Sequence, residues 1–177
     1  MADRKGGGQA GGVGAKIATY LEMTSPDQLR PADPVAGLAL EPVAATNPLV
    51  RRLHDRIAMP HGWSSLAWSP RRWAEWLATA GWHWVVRVDG QDAGLVSMEE
   101  RGEGEVAIAV FGLVPEFVGR GYGGYALTLA VRKAWNLPIT PPARRIWLHT
   151  STADHPHALP NYRRRGFRPY RTEIEPA

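Results

Sequence analysis

The stretch from Val118 to Leu127 reads VGRGYGGYAL and carries the spacing G-x-G-x-x-G at Gly119, Gly121 and Gly124. Glycines allow a backbone to approach a phosphate closely, and the N–H groups at a helix N-terminus favour an anion. The same spacing is also the dinucleotide fingerprint of Rossmann folds. The surrounding sequence therefore has to show which kind of phosphate these glycines would hold.

The sequence around the glycines excludes a Rossmann fold. That fold needs a carboxylate about twenty positions beyond the glycines to hold a ribose, but Pro141 and Pro142 stand there. In addition, the apolar strand predicted at residues 105–114 follows a hairpin at residues 82–99 and not a βαβ unit. We interpret the glycines as a pyrophosphate cradle of another type, formed by a loop that enters a helix.

The whole pattern predicts an α/β domain with a mixed, mostly antiparallel central sheet flanked by helices. Its elements run strand, strand, helix, helix, three antiparallel strands, helix, strand, helix, strand. Asn47-Pro48 and Ser69-Pro70 open the first two helices. The remaining predicted strands are 16–24, 38–43, 145–150 and 167–174, and the remaining helices are about 121–135 and one that ends near Arg165 with Gly166 as its cap.

Composition restricts the class of protein. Of the 177 residues, 44% are apolar and 21% are charged, as in a globular domain. We expect a flexible, glycine-rich leader at residues 1–14 and a single domain at residues 15–177. The absence of cysteine excludes disulfides and a cysteine nucleophile. Because there is neither a membrane-length apolar run nor an apolar signal-peptide core, we expect a cytoplasmic protein with no membrane partner.

The formal charge of +4, much of it from arginine clusters, favours an anionic partner. A phosphate-bearing small molecule and a nucleic acid are both consistent with such clusters. Most of these arginines have no neighbouring aromatic residue on which a base could stack, so we expect no nucleic-acid partner.

Two motifs in their expected order make the chain resemble the GCN5-related N-acetyltransferases. The acetyl-CoA motif of that family, V-x-P-x-x-R/Q-G-x-G-x-G/A, is matched by Leu113-Val-Pro115-Glu-Phe-Val118-Gly119-Arg120-Gly121-Tyr122-Gly123. Its second motif, L-Y-x-x-x-G-F, is matched by Asn161-Tyr162-Arg-Arg-Arg-Gly166-Phe167. The resemblance covers about residues 38 to 174 and implies the acyl-CoA N-acyltransferase fold.

The resemblance also implies an activity, transfer of an acetyl group from acetyl-CoA to an amine by direct attack on the thioester. A small-molecule amine is the acceptor we expect. A protein acetyltransferase acting on lysine or on N-termini, and a non-catalytic acyl-CoA-binding module, stay open as alternatives. A homodimer is left open as well.

Two of the departures from the family bear on its fold and cofactor site. Val118 stands where an arginine or glutamine is usual, but that position serves mainly through its backbone. Family members also finish with a seventh strand inserted between the fifth and sixth, and the sequence offers no strand pattern after residues 167–174. Because an unpaired gap in a sheet leaves backbone groups unsatisfied, we expect the N-terminal strand at residues 16–24 to fill this position.

By resemblance, acetyl-CoA is held by the glycine loop and by backbone groups of a bulged or splayed strand around Phe111–Leu113, where Gly112 is consistent with such an irregularity. The candidate cofactor-binding residues are Phe111, Leu113, Val118, Gly119, Arg120, Gly121, Tyr122, Gly123, Gly124 and His155. Asp154, beside His155, stands where the family often has an asparagine that contacts pantetheine.

Acetyl transfer needs a base for the amine and an acid for the departing thiolate. The resemblance assigns the acid to Tyr162. The base is open between Glu105, two residues before the position Ala107 at which some relatives carry a glutamate, and His149, whose side chain titrates near neutrality. We expect no metal, because histidines separated by a proline, as in Asp154-His-Pro-His157, are weak evidence for a metal site.

The chain holds eight tryptophans, and four of them cluster between residues 63 and 76. Helical spacing predicts Trp73 and Trp76 as core residues. Trp63 and Trp68 fall in a loop and are candidates for the lining of an acceptor pocket that suits an aromatic or cationic amine.

Overall fold

A computed structural model describes residues 15–175 of the chain, so the leader predicted at residues 1–14 lies outside the described residues. The strands are β1 Lys16–Met23, β2 Leu38–Pro42, β3 Trp82–Val88, β4 Gln91–Glu100, β5 Glu105–Leu113, β6 Arg145–Ser151 and β7 Arg168–Glu175. The α-helices are α1 Pro48–Ala58, α2 Pro70–Thr79, α3 Gly123–Trp135 and α4 Ala158–Arg164. The predicted order is confirmed, and the predicted boundaries agree with these within two residues. None of the described helices is long and apolar enough to cross a membrane.

The helices begin where the sequence places their caps. The Asn47 side chain accepts a hydrogen bond from the Leu49 N–H at 2.9 Å, and Ser69 accepts one from the Arg72 N–H at 3.2 Å. In both helices a proline follows the cap, at a position whose N–H would have no partner inside the helix. These caps fix the starts of α1 and α2, and α1 then packs on β4 and β5.

The seven strands form one sheet in the order β2-β3-β4-β5-β6-β1-β7. β1 lies between β6 and β7 and is antiparallel to both, with Leu21 opposite Leu148 and Ala18 opposite Glu173. The prediction that the N-terminal strand fills the seventh-strand position is therefore confirmed. The burial pattern of β1 explains the register, because Leu21 and Met23 are fully buried while Glu22 between them is not.

The end of α4 is also as the sequence predicts. Pro160 falls in the first turn of α4, where it breaks no intrahelical bond. Gly166 follows the helix with φ +104°, and a Cβ there would collide with the Gln28 carbonyl oxygen. The chain that leads from β1 towards β2 therefore lies directly against the end of α4.

The strands β5 and β6, the one parallel pair of the described sheet, separate part of the way along. They are paired from Glu105 opposite Arg145 to Ala107 opposite Trp147 and not beyond. On the other edge of β5, the pairing with β4 skips Ala109, which is an extra residue and forms a bulge. The predicted irregularity around Phe111–Leu113 thus begins earlier than expected, since the separation starts after Ala107 and the bulge is at Ala109.

The structure gives a different reason for the glycine at position 112 than the predicted bulge. A Cβ at this position would lie 2.5 Å from Cγ2 of Ile57 on α1. The missing side chain lets α1 pack closely on the part of β5 that is no longer paired with β6.

Candidate active site

A cavity of about 1040 Å³ fills the opening between β5 and β6. One wall is residues 108–113 of β5, whose backbone groups on the β6 side are not used in the pairing of these two strands. The other walls come from β6, from α1 and the loop after it, from the glycine loop before α3, and from α4. The volume is enough for a ligand of the size of most cofactors.

The glycine loop forms one end of this cavity. Gly119 has φ +74° and Gly121 has φ +87°, and a Cβ at either position would meet no atom within 4 Å. Both glycines therefore have a left-handed backbone and face open space. α3 starts directly after them, and its cap residue Tyr122 makes no side-chain hydrogen bond to the first turn. The first N–H groups of a 13-residue helix are left for an anion.

Arg165 and Asn161, neither of which is among the predicted site residues, complete this end of the cavity. Nη1 of Arg165 lies 2.8 Å from the point where a Cβ of Gly124 would stand, so Gly124 is the residue that lets the guanidinium approach α3. Nε of Arg165 is buried without a hydrogen-bond partner in the described part of the chain. Asn161 donates a hydrogen bond to the Gly123 carbonyl at 3.2 Å. The sequence shows Arg165 only as one member of a basic cluster, since the direction of its side chain depends on how α4 ends.

The predicted cofactor-binding residues divide into two groups. Most of them line the cavity, namely Phe111, Leu113, Val118, Gly119, Gly121, Gly123, Gly124 and His155. Arg120 and Tyr122 are not among its lining residues. The Arg120 guanidinium lies 5.4 Å from the Phe117 ring centroid and 5.5 Å from that of Tyr122, and it donates a hydrogen bond to the Glu116 carbonyl. The side chains of these two residues therefore pack beside the loop.

Tyr162 lies in the cavity wall on α4 and is 7% exposed. Its ring meets those of Phe111 and Phe167 edge to face, with centroids 6.3 and 6.2 Å away. Burial raises the pKa of the Tyr162 hydroxyl, and the nearby Asp154 charge raises it further. The phenol is therefore neutral at physiological pH.

The two predicted bases lie in different places. Glu105 is at the start of β5, outside the cavity lining, and its carboxylate accepts a hydrogen bond from Arg145 at 3.1 Å. Glu105 lies in the stretch of β5 that is paired with β6, and the opening begins only after Ala107. His149 does line the cavity, and its ring stacks on Tyr20 with centroids 5.2 Å apart.

A second histidine in the wall, His54 of α1, is absent from the sequence-based predictions. It is 2% exposed, with Nε2 3.0 Å from the Ser65 hydroxyl and Nδ1 2.9 Å from the Asp55 carboxylate. A carboxylate only accepts hydrogen bonds, so Nδ1 carries the hydrogen and Nε2 accepts from Ser65. Burial lowers the pKa of His54, an effect that Asp55 opposes. The sequence alone does not reveal the contact between His54 and Ser65, because Ser65 lies in a separate short helical turn and only the folded chain brings it against α1.

Three tryptophans line the same part of the cavity. Trp63 and Trp68, which the sequence makes candidates for a pocket lining, are there, and Trp76 joins them. Trp73 is buried, as predicted, but the prediction of Trp76 as a core residue is only partly right, because Trp76 packs against the core and also lines the cavity. Helical spacing shows which face of α2 turns inward, and it cannot show that the interior there is hollow.

Asp154 and His155 stand at the mouth between these tryptophans and α4. The Asp154 carboxylate accepts hydrogen bonds from Trp63 Nε1 and from the Thr150 hydroxyl, each at 2.8 Å, so it fixes Trp63 in place. The pKa of His155 is lowered by burial and then by the charges of His157 and His61. Within residues 15–175 no three His, Asp or Glu side chains are grouped as metal ligands.

A splayed sheet, a glycine loop at a helix N-terminus and a buried tyrosine come together at this one opening. The sequence model of the acetyltransferase (GNAT) family matches residues 50–167. The chain belongs to this family. No curated protein matches the sequence.

Among solved structures, the chain is similar to a GCN5-related N-acetyltransferase from Kribbella flavida, with 20% identity and a TM-score of 0.57. It is also similar to a GCN5-related N-acetyltransferase from Sphaerobacter thermophilus, with 14% identity and a TM-score of 0.61, and to a tandem GNAT protein from the clavulanic acid biosynthesis pathway, with 19% identity and a TM-score of 0.51. Each comparison covers 90% of this chain but only 56%, 50% and 51% of those chains, respectively. At these identities the similarity shows the fold.

Proposed function

We propose that this protein is an acetyl-CoA-dependent N-acetyltransferase that transfers the acetyl group to a small-molecule amine by direct attack on the thioester. The observation that carries the proposal is that a single cavity contains an anion-binding loop, an unpaired stretch of β5 and a protonated tyrosine. These are the three groups that a pyrophosphate, a thioester carbonyl and a leaving thiolate require.

The residues present fit acetyl-CoA as the acyl donor. The backbone N–H groups between Gly119 and Gly124 and the Arg165 guanidinium would neutralise its phosphates. Backbone groups of Phe111–Leu113 would bind its thioester carbonyl and pantetheine arm. Acetyl-CoA supplies an activated acetyl group, and Tyr162 would protonate the CoA sulfur as the thiolate leaves.

The small-molecule acceptor is supported by the other end of the cavity. Trp63, Trp68 and Trp76 form an aromatic lining there, and the Asp154 carboxylate fixes the Trp63 ring. Aromatic faces attract cations and stack on flat rings, so this lining suits an aromatic amine or an amine with a second cationic group.

A specific observation supports a second candidate, a non-catalytic acyl-CoA-binding module. Ala107 occupies the strand position at which some relatives carry a glutamate, and Glu105 is held by Arg145 away from the cavity. Such a module would bind CoA through the same loop and would not catalyse acetyl transfer.

Two measurements on the full chain separate these functions. Calorimetry with CoA tests the donor site, and release of the CoA thiol from acetyl-CoA tests turnover with a panel of aromatic amines, polyamines and peptides with free lysines or N-termini. We expect micromolar CoA binding and release with an amine of the first two groups. Binding without release on any acceptor would favour the module, release with peptides alone would favour a protein acetyltransferase, and no CoA binding would refute both proposals.

A further inference from the structure

The proposed reaction needs a group that takes the proton of the amine. Of the two predicted bases, Glu105 is outside the cavity lining, and His149 lines the cavity but stacks on Tyr20. Ser65, by contrast, lies in the wall of the tryptophan-lined end and is hydrogen-bonded to His54. We propose that Ser65 is a catalytic residue of the acetyl transfer, which takes a proton from the acceptor amine at Oγ and passes its own hydroxyl proton to Nε2 of His54. The inference rests on the proposed function and adds the base to it.

The hydrogen-bond directions suit this transfer. Nδ1–H of His54 points to Asp55, so Nε2 has a free lone pair that faces the Ser65 hydroxyl at 3.0 Å. Asp55 in turn accepts from Nε of Arg51 with both oxygens, at 3.0 and 2.9 Å. Arg51 thus fixes the carboxylate, and the carboxylate fixes the tautomer and orientation of the imidazole, so Arg51 and Asp55 are positioning residues.

The surroundings of His54 keep it neutral and ready to accept a proton. The rings of Trp63, Trp73 and Trp76 surround it at centroid distances of 5.8, 4.8 and 6.4 Å. This burial lowers its pKa, while the facing charges are Asp55, which raises it, and Arg51, which lowers it. The other elements packed on the ring supply the Ser65 hydroxyl and tryptophan rings, which do not titrate as acids near neutrality.

The proton and electron balance closes. The nitrogen lone pair of the amine forms the N–C bond to the thioester carbonyl carbon, and the C–S bond breaks with its electron pair on sulfur. The nitrogen loses its proton to Oγ of Ser65, whose hydroxyl proton moves to Nε2 of His54, and the sulfur receives a proton from Tyr162. His54 and Tyr162 end with opposite charges, and exchange with solvent returns both to neutrality.

The fold contains a second buried histidine–serine pair that serves as a matched control. Nδ1 of His83 lies 2.8 Å from the Ser97 hydroxyl, and burial lowers the pKa of His83 as it does for His54. This pair is outside the cavity lining, and Nε2 of His83 is buried without a partner in the described residues. It is therefore a buried histidine–serine contact, through Nδ1 and not Nε2, that has no access to the cavity and no orienting carboxylate.

The first test requires no amine. Diisopropyl fluorophosphate is incubated with the wild-type protein and with the Ser65→Ala, His54→Gln and Ser97→Ala variants, and labelled peptides are mapped by mass spectrometry. Reaction forms an O–P bond at the hydroxyl, releases fluoride and leaves the hydroxyl proton on the histidine. We expect the label on Ser65 in the wild type and in Ser97→Ala, and its loss in His54→Gln. An unlabelled Ser65 in the wild type would overturn the relay.

The second test uses the amine that gives most CoA release. We expect the kcat of Ser65→Ala and His54→Gln to fall about 100-fold or more, the usual contribution of a positioned base, at unchanged KM for acetyl-CoA. We also expect loss of the acid limb of the kcat/KM profile, whose midpoint in the wild type lies below 6.5. Ser97→Ala should keep the wild-type profile.

The outcomes of the second test distinguish the inference from the proposed function. A Ser65→Ala variant with wild-type kcat and pH profile overturns the relay and leaves the acetyltransferase intact. An acetyl group on Ser65 after incubation with acetyl-CoA alone also overturns it, because Ser65 would then be the nucleophile. If the wild-type protein fails to release CoA with every amine tested, the proposed function is refuted, and the relay with it, whatever the label shows.

Discussion

Gly112→Ala tests whether the close packing of α1 on β5 shapes the cavity. The new Cβ would lie 2.5 Å from Cγ2 of Ile57 and 3.6 Å from its Cβ. Ile57 is β-branched and its χ1 is stiff, so the methyl group cannot turn away and the helix or the strand has to move. Overpacking of this kind costs about 1–3 kcal/mol of unfolding free energy. With an m-value of about 2 kcal/mol/M, the urea midpoint should fall by about 0.5–1.5 M.

The control and the double mutant make this prediction specific. Gly81→Ala introduces a Cβ with no atom within 4 Å and should change the unfolding free energy by about 0.5 kcal/mol or less. Ile57→Ala alone should cost about 2–5 kcal/mol as a cavity mutation, but it removes the obstructing methyl group. Adding Gly112→Ala to Ile57→Ala should therefore cost almost nothing further in equilibrium urea unfolding. An equal cost of Gly112→Ala in both backgrounds would refute the packing argument.

Three further predictions concern the site. Tyr162→Phe should lower kcat about 100-fold without changing KM for acetyl-CoA, because the acid is lost and the ring packing is kept; steady-state CoA release measures this, and an unchanged kcat would contradict it. Arg165→Gln should weaken CoA binding about tenfold and reduce the salt dependence of that binding in calorimetry, since one phosphate contact is removed. The control is Arg120→Gln, whose side chain is outside the cavity and which should bind CoA as the wild type does. The free energy of unfolding should fall as the pH drops below 6.5, because the folded-state pKa values of His54 and His83 are lowered from 6.5 and the unfolded chain binds protons first. The slope is at most about 1.4 kcal/mol per pH unit for each histidine. Urea titrations of the His54→Gln and His83→Gln variants at several pH values should show a weaker dependence of this free energy on pH.

The fold could be predicted from the sequence because its elements are marked locally. Asn47 and Ser69 cap their helices as expected, and Gly166 ends α4 with the left-handed backbone that only glycine tolerates easily. The place of β1 was predicted by a tertiary argument, that a gap in the sheet must be filled, and the burial of Leu21 between two strands confirms it.

The site was less accessible to sequence reasoning, because it depends on where two strands separate. Glu105 and Ala107 share a face of β5, but Ala107 is the last residue paired with β6, so Glu105 falls on the closed side. No residue type marks that point, since the separation follows from the length of the pairing and the bulge at Ala109. Arg165 escaped prediction for a related reason, as its inward direction comes from the end of a seven-residue helix.

The separation of β5 from β6 also explains why the proposed acid and base come from helices. A base on β5 itself would have to stand on its unpaired stretch, where the side chains are apolar and the backbone is left for the thioester. The helix α1 can supply the final proton acceptor instead, because Gly112 lets Ile57 pack against β5 and His54 lies one turn earlier on the same helix. Tyr162 comes from α4, and its ring meets Phe111 of β5, so the amine and the thiolate would meet proton partners from two different helices in one cavity. This arrangement predicts that the strand position at Ala107 is dispensable for the chemistry, and that Ala107→Glu would add a buried charge without adding activity.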